Sequence, residues 1–313
     1  MTAPVNLTDL DLWARGVPYG EFARLRRDAP VAWFPDEGSG FWGVHRYADI
    51  VTASRDVRTF SSARGVSFEE PTDEDMAARR TIIDTDPPEH TKLRKIVSGA
   101  FSLRAVAVYE HFIAGLTEPG DDLLSRLVGA EVDGERLTET DLDNFFSILV
   151  VAGNETTRIA IAQGVLAFCQ YPDQWDRLRA DPGLLETATD EVIRWSCPTH
   201  FMRRTAAADT ELGGAAIRAG DKVVLWYVSG NRDEAEFERP DAFDVGRSPN
   251  RHLSFGRGGP HLCLGVHLAR LEVKVALAAL ARRVRRFELA GPPRRIRSNF
   301  TNGLRELPVR AYQ

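Results

Sequence analysis

Sulfur is scarce in this chain: three cysteines and three methionines in 313 residues. Three thiols, Cys169, Cys197 and Cys263, cannot build a disulfide framework, which fits a reducing compartment and leaves each sulfur to be judged by its surroundings. Charge of one sign is not in excess either. A formal net charge of -5 supplies no electrostatic footprint for nucleic acid or an anionic membrane. Long apolar runs are missing: Phe145 to Ala152 is far shorter than a bilayer-spanning stretch, and Met1 to Leu10 lacks the basic start and apolar core of an export signal. The expectation is a cytoplasmic protein with no nucleic-acid partner and no membrane insertion. There are no repeats, no low-complexity linker and no clean boundary, so residues 1–313 read as a single domain. A composition of 43% hydrophobic and 27% charged residues is that of an ordinary globule.

The first third is mixed. Gly40-Phe41-Trp42-Gly43-Val44 predicts a strand entered from a glycine turn, and Tyr47 to Ser54 a short helix. Asp86-Pro87-Pro88 ends an extended segment, and the helix predicted from Glu89 to Phe101 places His90 and Arg94 on one face, able to grip one object. Thr138 with Asp141 forms a capping box that opens a helix carried to about Gln170, before Pro172. About thirty residues at 1.5 Å per residue make it roughly 45 Å long. Asp181-Pro182 caps another helix ending near Trp195. Hairpin signals follow at Leu212-Gly213-Gly214 and Ala219-Gly220-Asp221, then a strand-like run from Lys222 to Val228. A last helix is predicted from Leu264 to about Arg283.

Within the long helix, Gly153-Asn154-Glu155-Thr156-Thr157 interrupts two apolar stretches. Glycine costs about 1 kcal/mol relative to alanine, a buried carboxylate more, and a threonine bonded to the carbonyl four residues back tends to bend a helix. Either the segment is a solvated stripe, or the helix opens beside a reaction centre with an acid and an alcohol to pass protons. Glu191 and Arg194, three apart, have the spacing of a surface ion pair, but Val192, Ile193 and Trp195 around them argue that one member points inward. The most informative stretch is Phe255-Gly256-Arg257-Gly258-Gly259-Pro260-His261-Leu262-Cys263-Leu264-Gly265. It brings a cysteine to the head of an apolar helix, where free amides and the helix dipole favour a thiolate. The competing readings are an inert small hydrophobe, a phosphate loop whose next required glycine is instead His261, and a zinc cluster of His252, His261, Cys263 and His267 at an unfamiliar spacing.

Taken in chain order, these segments resemble the cytochrome P-450 family in its soluble bacterial form. The resemblance rests on Phe41-Trp42, Phe60-Ser61-Ser62, Asp86 to His90 with Arg94, Ala152 to Thr157, Glu191 to Arg194, Asn231-Arg232-Asp233 and the Cys263 loop. It implies a mainly α fold with small β-sheets and haem b as cofactor. Cys263 would be the axial thiolate, which favours cleavage of a bound O–O bond. His90, Arg94, Arg204 and His261 would hold the two propionates, with Ala152, Gly153, Phe255, Gly256 and Gly265 also against the cofactor. Glu155 and Thr156 would deliver protons during oxygen activation. Glu191, Arg194 and Arg232 would be structural. Val66, Phe68, Leu149, Phe201, Met202 and Leu304 would line the pocket of an apolar substrate, a sterol, lipid, terpenoid or polyketide. The segment Ser298 to Leu304 is similar to actinobacterial members acting on sterols and branched lipids. Electrons would come from a separate ferredoxin or flavodoxin-type donor with its NAD(P)H-dependent reductase; Lys92, Lys95, Arg257 and Arg270 are either its docking patch or ordinary solvated charges.

Two departures stand out. Phe255 and Gly256 lie one position too far from Cys263, so the loop carries an extra residue. More importantly, Phe101 to Val106 resembles the end of one helix and the start of the next, while Gly120 to Leu124 already resembles the approach to the long helix. The family's intervening lid helices are therefore missing near 107–120, and the fold is internally shortened. An open distal pocket, exposed apolar surface and lower stability are expected. The alternatives this leaves are a haem protein with impaired or peroxide-driven oxidation and a non-catalytic remnant.

Overall fold

The computed structural model describes residues 5–36, 38–72, 74–76, 81–98, 101, 131–132 and 134–313. The shortened region near 107–120 and its flanks, 102–106 and 120–124, lie outside the described residues.

Short, largely buried segments build a five-stranded sheet in the order Val31–Phe34, Phe41–Val44, Lys222–Leu225, Met202–Ala206, Phe60–Ser61. Phe41–Val44 pairs antiparallel with Val31–Phe34 and parallel with Lys222–Leu225, with Trp42 opposite Val223. Met202–Ala206 runs antiparallel to Lys222–Leu225, with Arg204 also opposite Val223. The central strand is buried at all four residues, which is why its apolar residues Val223, Val224 and Leu225 follow one another without alternation. The predicted strand to Val228 stops at Leu225, and Tyr227–Gly230 forms one helical turn. Beneath the sheet, Trp13, Phe22, Phe41 and Trp226 form one core, with the indoles of Trp13 and Trp226 stacked at 5.4 Å.

The second body is helical. The capping box forms as the sequence predicts: the Asp141 N–H donates to Thr138 Oγ1 and the Thr138 N–H to the Asp141 carboxylate, both at 3.1 Å. The long helix then runs unbroken over Glu139–Gln170. It ends because Pro172 cannot continue the ladder, and the same proline sits in the first turn of the helix Pro172–Ala180, which the sequence reading left unassigned. Leu185–Ser196 and Val266–Arg283 complete the bundle. Phe168, Trp175, Leu178, Val192 and Leu277 fill its core.

Judged by length and hydropathy alone, Glu139–Gln170 is long and apolar enough to cross a bilayer, unlike the short runs within it. Its amino-terminal half is poorly covered: Phe146, Val150 and Val151 are 47%, 49% and 66% exposed.

Two histidines are sealed in the sheet core. Burial drives the His45 ring down to about 3 and the His200 ring to about 4. Neither ring nitrogen of His45 finds a partner, and His200 Nδ1 lies 2.9 Å from the Asn299 carbonyl oxygen. Both stay neutral in the fold, whereas an unfolded histidine titrates near 6.5. The unfolded chain therefore binds more protons at acid pH. Stability is complete above about pH 6.5 and falls as pH drops toward the folded values, by about 1.4 kcal/mol per pH unit for each ring. Thermal melting between pH 7 and pH 5 is expected to show this loss, and His45→Phe should flatten it; a melting temperature independent of pH would contradict the assignment.

Candidate functional site

The Cys263 loop is built by backbone geometry. Gly256 and Gly258 take φ values of +71° and +111°, a region that side-chain-bearing residues avoid. The Gly256 N–H donates to the Leu253 carbonyl at 2.7 Å, and the Cys263 N–H returns to the Phe255 carbonyl at 2.8 Å. The loop thus closes despite the extra residue, and Phe255 packs beside Arg270, whose guanidinium lies 5.2 Å from its ring centre. Gly259 presses on the helix Tyr47–Arg55, where an added Cβ would sit 1.8 Å from the Ser54 carbonyl oxygen. Gly259→Ala must therefore displace backbone. It is expected to cost about 1–3 kcal/mol and to weaken haem retention, measured by melting and by haem transfer to an acceptor protein.

The helix proper begins at Val266 with Gly265 as its N-cap, so Cys263 stands before the first turn. The expectation of a thiol made acidic by that helix is not met. Burial raises the Cys263 pKa, and the Gly265 N–H and the Arg94 guanidinium only partly offset it. Desolvation of a sulfur anion outweighs one amide and one cation. A sulfur so placed is ionised by a bound metal cation, which deprotonates a coordinating thiol outright.

Around one end of the same cavity, four basic side chains converge. The His90 and His261 rings lie 4.3 Å apart, and Arg204 and His90 are buried. His261 Nε2 is 3.3 Å from Ser62 Oγ. Burial, reinforced by Arg204, His90 and Arg94, lowers His261 to about 3. Burial and Arg94 lower His90 against the opposing pull of Asp86. His90 Nδ1 and Arg204 Nε are buried without a hydrogen-bond partner. Among the described residues, no carboxylate forms an ion pair with Arg94 or Arg204. Buried donors and cations without a counter-charge are costly unless an anion completes them, and a porphyrin with two propionates supplies that charge beside the Cys263 sulfur. The residues present fit haem.

The opposite wall is the long helix, which contributes Leu149, Ala152, Gly153, Thr156 and Thr157 to a cavity of about 600 Å³. The helix does not open there. Thr156 Oγ1 donates back to the Ala152 carbonyl at 2.6 Å, a bond accommodated inside a continuous helix. A Cβ on Gly153 would meet nothing within 4 Å. Glu155 is absent from the lining, because on the helix it points away from its neighbour Thr156 and its carboxylate grips the Arg158 guanidinium at 2.6 Å.

Of the expected pocket residues, Val66, Leu149 and Met202 face the cavity. Phe68, Phe201 and Leu304 do not. Phe68 packs edge-on against Phe41 at 4.8 Å and Phe201 at 4.6 Å, so both phenyl rings belong to the sheet core. Leu304 sits in a strand paired at Arg295. The sequence reading missed Phe145 and Ile148, although their spacing to Leu149, Ala152 and Thr156 marks one helical face. It also missed Glu272, a lone carboxylate of the last helix that lines the cavity.

Glu191 and Arg194 are wholly buried, so the surface reading is excluded. The guanidinium meets the carboxylate through two bonds of 2.7 and 2.8 Å and also donates to the carbonyls of Asn231 and Pro240. A second guanidinium, Arg247, donates to Glu191 at 3.1 Å; nothing in its local sequence marked it. Arg232 lies instead over Trp195, 3.6 Å from the ring centre, and 3.2 Å from Asp241. The zinc reading fails as well, since no group of three histidine, cysteine or acidic residues is placed to hold a metal among the described residues.

The family model for cytochrome P-450 matches residues 116–309. The methyl-branched lipid omega-hydroxylase of Mycobacterium bovis is 36% identical over 404 positions, covering 98% of this chain and 94% of the relative. The linalool 8-monooxygenase of Pseudomonas putida is 36% identical, covering 97% of this chain and 98% of its own. Alignments longer than the 313-residue chain mean that these relatives carry positions with no counterpart here, in keeping with internal shortening. Among solved structures, a Mycobacterium marinum cytochrome P-450 in complex with pseudoionone superposes with a TM-score of 0.88 at 34% identity, covering 98% of both chains. A thiol and basic side chains that pair with no carboxylate among the described residues, all lining one cavity, and this likeness over nearly the whole length place the chain in the cytochrome P-450 family of haem-thiolate monooxygenases.

Proposed function

We propose that residues 1–313 act as one cytoplasmic cytochrome P-450 domain that inserts one atom of O2 into an apolar small molecule of the lipid, terpenoid, sterol or polyketide class. The observation that carries this reading is the apolar cavity bounded by the Cys263 sulfur on one side and the Thr156 hydroxyl on the other. The names of the relatives, acting on a methyl-branched lipid and on linalool, support the substrate class.

Haem, when bound, supplies iron that binds and activates dioxygen and takes electrons one at a time. The chain's own side chains do the rest. Cys263 would hold the haem iron through its sulfur. His90, Arg94, Arg204 and His261 orient the cofactor through its propionates, and Ala152, Gly153, Phe255, Gly256 and Gly265 shape the walls of its slot. Val66, Leu149 and Met202, with Phe145 and Ile148, exclude water and hold an apolar substrate. Thr156 Oγ1 holds a proton at the cavity face of the helix and exchanges it as its bond to Ala152 loosens. A relay role for Glu155 requires its ion pair with Arg158 to open. Glu191, Arg194 and Arg232 hold the fold around the site. A ferredoxin or flavodoxin-type donor would meet the exposed Lys92, Lys95 and Arg257, with Arg270 partly engaged by Asp190 at 2.8 Å.

Labelled dioxygen tests the reaction: with a reconstituted ferredoxin and reductase, one labelled oxygen atom is expected in the product of a branched fatty acid or terpenoid alcohol. Turnover with peroxide alone, and none with the reductase chain, would replace this reading by peroxide-driven oxidation. Thr156→Ala is expected to keep haem and substrate binding while product per electron falls on the order of 10²-fold and peroxide accumulates. An unchanged yield would remove Thr156 from the relay.

A further inference from the structure

A second cavity, of about 250 Å³, lies where the last turn of the long helix meets the helix Pro172–Ala180 and the strand Arg286–Leu289. It shares no lining residue with the cavity beside Cys263. Three of its residues are buried aromatics: Phe168 and Phe287 lie 4.7 and 4.9 Å from Trp175, centre to centre. The indole N–H of Trp175 is buried without an acceptor, an uncommon state for that group. The remaining residues, Pro172, Asp176, Arg285 and Arg286, are exposed, so an apolar recess meets a charged rim.

Charge is lopsided around this recess. Residues 282–313 carry nine arginines and two glutamates in a chain whose net charge is -5. Arg282 and Arg283 close the last helix, where cations complement the helix dipole. That account does not reach Arg285 and Arg286, which follow the helix. Arg286 pairs with Glu288 at 2.8 Å. Arg285 enters no ion pair among the described residues, although Asp176 lines the same cavity. Its backbone is held in place: Arg179 donates to the carbonyls of Ala281 and Arg285, both at 3.4 Å, and the Arg285 N–H donates to the Tyr312 carbonyl at 2.6 Å.

We propose that this recess binds a small aromatic carboxylate, with its ring against Phe168, Trp175 and Phe287 and its anionic oxygens on the Arg285 guanidinium. A guanidinium without a counter-charge beside buried aromatic rings suits a ligand that is charged at one end and apolar at the other. The volume falls below the roughly 300–1,000 Å³ of sites for drug-sized ligands, which limits the occupant to a single ring with a short acidic arm. The site takes no part in oxygen activation and does not depend on the monooxygenase reading above.

Phenylacetate is the probe, added to haem-loaded protein carrying isotope-labelled tryptophan. The indole N–H resonance that disappears in Trp175→Phe is expected to shift saturably, with a Kd of roughly 0.1–1 mM for a ligand of about ten heavy atoms. Phenylacetamide, the same shape without the charge, should bind about fivefold more weakly. Arg285→Ala should weaken phenylacetate by the same factor and leave phenylacetamide unchanged, with the melting temperature of wild type because the side chain is exposed. A terpenoid alcohol that perturbs the haem spectrum should not displace phenylacetate. The inference is overturned if the Trp175 resonance stays still at about 20 mM phenylacetate, if acid and amide bind wild type equally, if Arg285→Ala still prefers the acid, or if filling the haem cavity displaces the probe.

Discussion

Cys263→Ala is expected to give a folded protein that has lost oxygenase activity and the thiolate signature of its haem. The side chain faces the cavity and is only partly buried, so its removal leaves little unfilled space and the melting temperature of the cofactor-free protein should barely change. The loss lies in chemistry. Without the sulfur anion this loop would offer a bound haem iron no ligand, and the electron donation a thiolate would supply to it is lost. Activity should fall by more than the roughly 10–100-fold typical of changes one shell further out. The ferrous carbonyl spectrum reads this directly: wild type should show the red-shifted Soret band of a thiolate-bound haem and the variant should not. Equal haem uptake and an identical carbonyl band in the two proteins would end the haem-thiolate assignment.

Glu191→Ala is expected to be the most destabilising single change in the described fold. The Glu191 carboxylate accepts from Arg194 twice, from Arg247, from Asn250 at 3.1 Å and from the Asp244 N–H at 2.9 Å. Truncating it leaves two guanidinium groups facing each other in a buried space. Breaking a buried pair in this way costs about 3–5 kcal/mol, against total stabilities of about 5–15 kcal/mol. The melting temperature should drop by roughly 6–20 °C, and haem should be lost with it because Asn231 and the loop from Leu253 hang on the same network. Glu191→Gln, which keeps the shape but not the charge, should fall between. A shift of under about 2 °C for the alanine variant would mean that the network contributes nothing measurable.

Much of this site is legible in the sequence because its parts obey local rules. The capping box at Thr138, the paired face of His90 and Arg94 and the glycine turn before Cys263 are each decided within a few residues, and each is found where the pattern puts it. What escaped depends on distant partners. Glu155 and Glu272 are both acids on apolar helices, and only the packing of the last helix against the long one decides which of them borders the cavity. Phe68 and Phe201 look like pocket aromatics until the sheet brings Phe41 and Trp226 against them. The acidity of Cys263 was misjudged for the same reason, since its place before a helix is a local feature and its desolvation is a tertiary one. Arg247 carries no local mark, and its partner lies 56 residues away along the chain.

The bare flank of the long helix bears on how the protein behaves in solution. Phe146 and Val151, exposed and outside the cavity lining, leave oily surface that repulsion from a net charge of -5 does little to shield at ordinary ionic strength. Sulfate or phosphate, which strengthen apolar association, should make molecules cling to one another and to phenyl resin. Replacing Val151 with lysine should free them without touching the haem.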